Sequence, residues 1–111
     1  VDRGTNDQPD IVGIFVATPP GSQKTETALE LAEKALVSGQ QVLLFLYRPG
    51  VNNLRDARYV KLLERGATIY ACSQSCQAQG ITAVPDNIVL GEFGLLSKLM
   101  NGCQKFVAFI R

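Results

Sequence analysis

The sequence predicts an α/β fold in three layers, with helices on both faces of a mainly parallel five-stranded sheet. Three observations carry that prediction. Short apolar runs alternate with stretches of helical period. The runs are apolar nearly throughout rather than at every second residue, as in strands buried on both faces. Glycines (Gly39, Gly66, Gly80 and Gly102) close the helical stretches, where a left-handed residue ends a helix at least cost.

The elements follow in order. Residues 11–17, IVGIFVA, form the first buried strand, broken by TPPGS. Ser22 then caps a helix over residues 23–38, with Ala28, Leu29, Ala32 and Leu36 on its inner side. Glu30 and Lys34 make an i,i+4 pair on its outer side. Residues 41–47, QVLLFLY, are the second strand, and RPGVNN after it reads as a loop. A helix over 56–65 turns Tyr59, Leu62 and Leu63 inward, and residues 67–71, ATIYA, are the third strand. A short helical turn runs to about residue 79. Residues 88–90 make a brief strand, and residues 92–101 a helix with Phe93, Leu96, Leu99 and Met100 as its apolar side. Residues 104–110, QKFVAFI, close the sheet. Residues 1–9 read as a disordered polar tail, and 10–111 as a single domain.

Composition excludes several function classes. Of 111 residues, 46% are apolar and 19% charged, with a net charge of +1 and no block of one sign. Nucleic acid or an anionic membrane would call for a concentrated basic face, so neither DNA nor a membrane is expected as a partner. No apolar run approaches the roughly 20 residues of a membrane-crossing helix. Histidine is absent, so no Ser-His or Cys-His pair and no histidine metal ligand exists in the chain. Three cysteines leave one over from any disulfide framework and suit a reduced, cytoplasmic setting.

Two stretches invite a chemical reading. PPGSQKTE follows the first strand, opens a helix and contains Lys24-Thr25, as a phosphate-binding loop would. Such a loop requires glycine immediately before the lysine and again five residues before that, and here those positions are Gln23 and Thr18. A turn and helix cap is the plainer reading, with free N–H groups available to an anion as an intermediate one.

The other stretch is YACSQSCQAQG, residues 70–80. Structural zinc needs four ligands, more than Cys72, Cys76 and the distant Cys103 supply, so no cofactor or metal is expected. Redox CxxC motifs have two intervening residues and this one has three. A Cys72–Cys76 disulfide is still open, because residues i and i+4 share one side of a helical turn. The other option is a reactive thiolate. Cys72 falls where a strand gives way to a helical turn, whose unpaired N–H groups favour the anionic sulfur. Its bland alternative is a small buried hydrophobe. Cys103 reads as structural. Ser73 and Ser75 stand beside the sulfur as hydrogen-bond donors or turn caps. Arg48 and Lys24 lie at neighbouring strand ends as sources of positive potential, or as solvated surface charges.

Three segments together resemble the DsrE/DsrF-like sulfur-relay family of the TusD and YchN types, over about residues 11–110. They are IVGIFVATPPGSQKTETALELAEKAL, VLLFLYRPGV and IYACSQSCQAQGI, and CQKFVAFI looks like the family's closing strand. The resemblance implies a DsrEFH-like, Rossmann-like fold and places Cys72 at the family's reactive position. It implies a sulfur carrier or sulfurtransferase-like protein that holds sulfane sulfur as a Cys72 persulfide and passes it to a partner thiol. It also implies a homotrimer or homohexamer, with a sulfur donor or acceptor protein as a further partner. Cys76 departs from members with a lone cysteine.

Thiol exchange of this kind depends on the attacker's thiolate fraction and the leaving thiol's pKa and needs no general base, which suits a chain without histidine. Two alternatives remain: a non-catalytic oligomeric interaction module, or a thiol–disulfide switch using Cys72 and Cys76. Independently of the resemblance, Val84, Ile88, Leu90, Phe93 and Leu95 exceed what one small core is expected to bury, and such a surplus often becomes a subunit interface.

Overall fold

The computed structural model describes residues 10–110, so the tail expected at residues 1–9 lies outside the described residues. The elements are β1 (Ile11–Val16), α1 (Gln23–Val37), β2 (Gln41–Leu46), a 3₁₀ helix (Arg48–Arg55), α2 (Ala57–Glu64), β3 (Thr68–Cys72), α3 (Ser73–Ala78), β4 (Val89–Gly91), α4 (Leu95–Asn101) and β5 (Lys105–Phe109). The five strands form one sheet in the order β4-β3-β2-β1-β5, and every pairing is parallel.

That order decides what covers each face. From β1 through β4 the chain steps one strand at a time in one direction, and right-handed crossovers put the intervening helices on one face. The step from β4 to β5 crosses the whole sheet the other way, so α4 lies on the opposite face. Strand parity matches. Val12, Ile14 and Val16 of β1, Val42, Leu44 and Leu46 of β2, and Ile69 and Ala71 of β3 point into the main core with α1 and α2. The alternate residues Phe15, Phe45 and Cys72 pack with Leu96 of α4, and Tyr47, Tyr70 and Phe106 lie against them. One face is therefore aliphatic and thickly covered. The other is aromatic and covered by a helix of seven residues.

The structure corrects several expectations. RPGVNN is not an open loop: it coils into the 3₁₀ helix because Val51 and Leu54 pack into the main core. Pro49 is tolerated in the first turn, where its missing N–H has no helical partner to lose. The last helix starts at Leu95 rather than residue 92, behind Gly94, so Phe93 lies outside it and is 49% exposed. Met100, expected inward, is also exposed. β5 is only half-buried, as an edge strand on the thinly covered face. Of the apolar surplus, Ile88 is buried and Val84 and Leu95 pack against the cores, whereas Leu90 and Phe93 remain exposed.

Two polar contacts join α1 to α2. The buried Tyr59 hydroxyl donates to the Thr25 carbonyl at 2.7 Å. Arg58 grips both oxygens of the Glu26 carboxylate at 2.9 and 2.7 Å and donates to Asp56 at 2.9 Å. Hydrogen bonding to Arg58, with its charge adding to the effect, holds both carboxyls below their usual range. A carboxyl whose folded pKa is depressed contributes stability that is whole above its unfolded pKa and is lost as pH falls through the folded value. The cluster is exposed, so its contribution is small and screened by salt. We expect the Tm of the wild type to fall more than that of Arg58→Ala between about pH 6 and about pH 3, with the gap closing in high salt. Parallel curves would show that the cluster contributes nothing.

Candidate active site

Ligand sites in parallel sheets lie at the carboxyl ends of neighbouring strands whose connections leave to opposite faces. The connections after β3 and β4 diverge in that way, with α3 on the main-core side and α4 on the aromatic side, but the cavity at Cys72 opens between the ends of β2 and β3 and has no β4 residue in its wall. Cys72 is the last residue of β3 and pairs with Gly91, the last residue of β4. It is at once a strand end and the cap position of α3, with extended backbone (φ −69°, ψ 120°).

Cys72 is 2% exposed, packed with Phe15, Phe45 and Leu96. It nevertheless forms part of the wall of a cavity of about 380 Å³, with Tyr47, Arg48, Pro49, Gln74, Ser75 and Gln79 among the other walls. Cys72 is thus held by packed side chains and borders an open space.

The wall facing Cys72 is built from a strained segment. Arg48 has φ +52°, the single positive φ on a residue other than glycine among the described residues. A left-handed arginine costs about 1–2 kcal/mol, so its surroundings must hold it there. Ser75 does part of this: its Oγ accepts from the Arg48 amide at 2.8 Å, tying the 3₁₀ helix to α3. The Arg48 guanidinium lies 5.3 Å from the Tyr47 ring centre. Beneath the segment, Asn53 is fully buried and its amide group donates to the carbonyls of Thr18 and Gly50 at 3.2 and 3.0 Å. This joins the end of β1 to the turn that carries Arg48.

The other candidate residues are placed as follows. Cys76 is buried on the main-core side, in a different apolar cluster from Cys72. Burial, and secondarily the charge of Cys72, push its pKa up. Ser73 opens α3, half-buried, and is not among the residues lining the cavity. Lys24 is not brought to the cysteine. It donates to the Ile110 carbonyl and lines a separate cavity with Gln23, Thr27 and Phe109. Cys103 is half-buried with its thiol donating to the Leu99 carbonyl at 3.0 Å, and burial raises its pKa. Thr25, at the phosphate-loop-like stretch, is buried and bonded to the Pro19 carbonyl at 2.7 Å. Ser22 caps α1 by accepting from the Thr25 amide. Among the described residues, no group of three or more histidine, cysteine, aspartate or glutamate side chains is placed to hold a metal ion. Nor is any helix long and apolar enough to cross a membrane.

Tyr47, Pro49, Gln74 and Gln79 were not singled out from the sequence, and neither was a second cavity behind the same wall. That cavity, of about 460 Å³, is lined by Phe15, Ala17, Tyr47, Arg48, Pro49, Phe93 and Ile110. The available signal was parity: Phe15, Phe45, Tyr47 and Tyr70 all occupy the strand positions alternate to the aliphatic ones.

Residues 10–109 match the sequence profile of the DsrE/DsrF-like family. The chain is 32% identical over 91 residues to the uncharacterized protein MK0008 of Methanopyrus kandleri, covering 71% of this chain and 75% of that one. Its fold is similar to the crystal structure of the ychN protein from E. coli, with a TM-score of 0.74 at 20% identity over 92% of this chain and 100% of that one. A conserved protein of unknown function from Bacteroides thetaiotaomicron, BT1422, is similar with a TM-score of 0.73 at 22% identity, over 89% of this chain and 94% of that one.

Proposed function

Since this chain belongs to the DsrE/DsrF-like family, whose members in general take part in sulfur relay, we propose that it carries sulfane sulfur as a persulfide on Cys72. The single observation that supports this most is the placement of Cys72 at the carboxyl end of β3, against a cavity. The Cys72 thiolate attacks the outer sulfur of a donor persulfide R–S–SH. A new S–S bond forms, the donor's S–S bond breaks, and R–S⁻ leaves with the electron pair. An acceptor thiolate then attacks the outer sulfur of Cys72–S–SH, and Cys72 leaves as thiolate. No net oxidant or reductant is consumed, and no side chain has to take a proton from carbon or oxygen.

The same placement disfavours the disulfide switch. Joining Cys72 to Cys76 would draw Cys76 out of the main core, and its raised pKa keeps it a poor attacker. Polysulfide treatment followed by peptide mapping tests the carrier reading: the added sulfur is expected on the Cys72 peptide, and sulfur found only on Cys76 or Cys103 would overturn it.

The reading includes a reducing cytoplasm, where free thiols persist, and self-association as a homotrimer or homohexamer. Val89, Leu90 and Met100 are exposed apolar side chains that support the latter. Sedimentation of the wild type is expected to give three or six copies, and Leu90→Glu to shift it towards monomer. A wild type that sediments as monomer at high concentration refutes the assembly.

A further inference from the structure

We propose that the apolar cavity behind the Tyr47–Arg48–Pro49 wall seats an aliphatic or aromatic side chain from the acceptor's own cysteine-bearing segment. The cavity then selects among partner proteins by the residue that stands beside the acceptor cysteine. The inference rests on the persulfide reading of Cys72 and adds a specificity site to it.

Five observations carry it. The two cavities share three consecutive wall residues, so a chain segment crossing that wall reaches both. The second cavity is lined almost wholly by apolar surface, with Phe15, Ala17, Phe93 and Ile110 around it. Its volume of about 460 Å³ is within the range of ligand sites. A small, charged thiol has nothing to place there, whereas a segment that puts its cysteine against Cys72 has neighbouring side chains to bury.

Phe93 and Ile110 are 49% and 52% exposed on this wall, held open rather than collapsed. Phe93 is braced by the Tyr47 ring at 4.7 Å and the Phe15 ring at 6.2 Å. Finally, Arg48 is the one charged residue lining either cavity. No carboxylate pairs with it among the described residues, and it is held in a strained backbone state on the ridge between the cavities. Charge complementarity then calls for a carboxylate in the acceptor segment, close to its cysteine.

Transfer follows the balanced exchange above: the segment's thiolate takes the outer sulfur, the Cys72 Sγ–S bond breaks, and the electron pair stays on Cys72. The test begins with the wild-type protein loaded with polysulfide and freed of excess. A gain of about 32 Da per chain establishes loading and so tests the persulfide reading on its own. Three acceptors are then compared by the rate at which that mass is lost: a peptide with cysteine flanked by leucine and glutamate, the same peptide with glycine for leucine, and glutathione. The leucine peptide is expected to accept about tenfold faster than the other two, in line with one apolar side chain partly buried. Phe93→Ser, and independently Ile110→Ser, should shrink that leucine-to-glycine ratio towards one. Both sites are half-exposed, so two separate variants guard against a folding defect in either. Equal rates for all three acceptors would overturn the proposal, as would a ratio that survives both substitutions. So would a change in assembly mass in the two variants, which would assign the cavity to a second copy of the chain.

Discussion

Cys72→Ser is expected to gain no sulfur from polysulfide, while the wild type gains about 32 Da per chain by intact mass. Serine is nearly the same size, so the packing with Phe15, Phe45 and Leu96 survives and the loss reports chemistry rather than unfolding. Its hydroxyl is a weak nucleophile unless a neighbouring base activates it, and this chain contains no histidine to do so. Cys76→Ser is expected to load as the wild type does. Cys76 packs in the main core and is not among the residues lining the Cys72 cavity, and burial together with the Cys72 charge raises its pKa, leaving little thiolate at neutral pH. Cys103→Ser should also load, because that thiol is engaged with the Leu99 carbonyl and is likewise shifted up by burial. Sulfur loading on Cys72→Ser at the wild-type level would remove the site, and full dependence on Cys76 would revive the disulfide switch.

Gly50→Ala is expected to be the most damaging single-methyl change near the site. A Cβ at this position would lie 2.1 Å from the Val16 carbonyl oxygen and 2.9 Å from its carbon. Both are backbone atoms of β1, an interior strand of the sheet, and the same oxygen accepts from the Tyr47 amide at 3.0 Å. No rotamer change relieves that overlap. The 3₁₀ helix has to move away from the strand, carrying Arg48 and Pro49 with it and breaking the tie from Asn53 to the Thr18 carbonyl. Overpacking of this kind costs about 3 kcal/mol or more. At roughly 4 °C or more per kcal/mol for a domain near this size, Tm should drop by more than about 10 °C. Alkylation of Cys72 should also change in rate below the melting range, since the wall of its cavity has shifted. A variant that melts with the wild type would mean that the close approach is not what holds this turn to the sheet.

Both expectations turn on residues that a reader of the sequence meets with unequal warning. Cys72 was legible: it follows an apolar β-rich run and precedes a polar stretch ended by Gly80, so the strand-to-helix change could be placed without coordinates. Gly50 was not. RPGVNN has the composition of a loop, and nothing local says that Val51 and Leu54 are buried or that a carbonyl of another strand presses on the glycine. Arg48 was picked for its charge, yet its left-handed backbone and the Ser75 hydroxyl that fixes it depend on α3 packing beside the 3₁₀ helix. Lys24 had the same sequence-level credentials and was carried elsewhere, to the carbonyl of Ile110.

By itself, then, the order of residues determined the alternation of strands and helices, the parallel sheet and the position of Cys72 at a strand end. Those properties follow from periodicity and from local breakers, which act over a few neighbouring residues. Which face Cys72 occupies, which helix covers it, and what walls its cavity were decided only when β3 took its place between β2 and β4 and the last crossover put α4 on the opposite side. Such contacts join residues tens of positions apart, and their selection depends on the burial of whole faces at once, a quantity no short stretch of sequence contains.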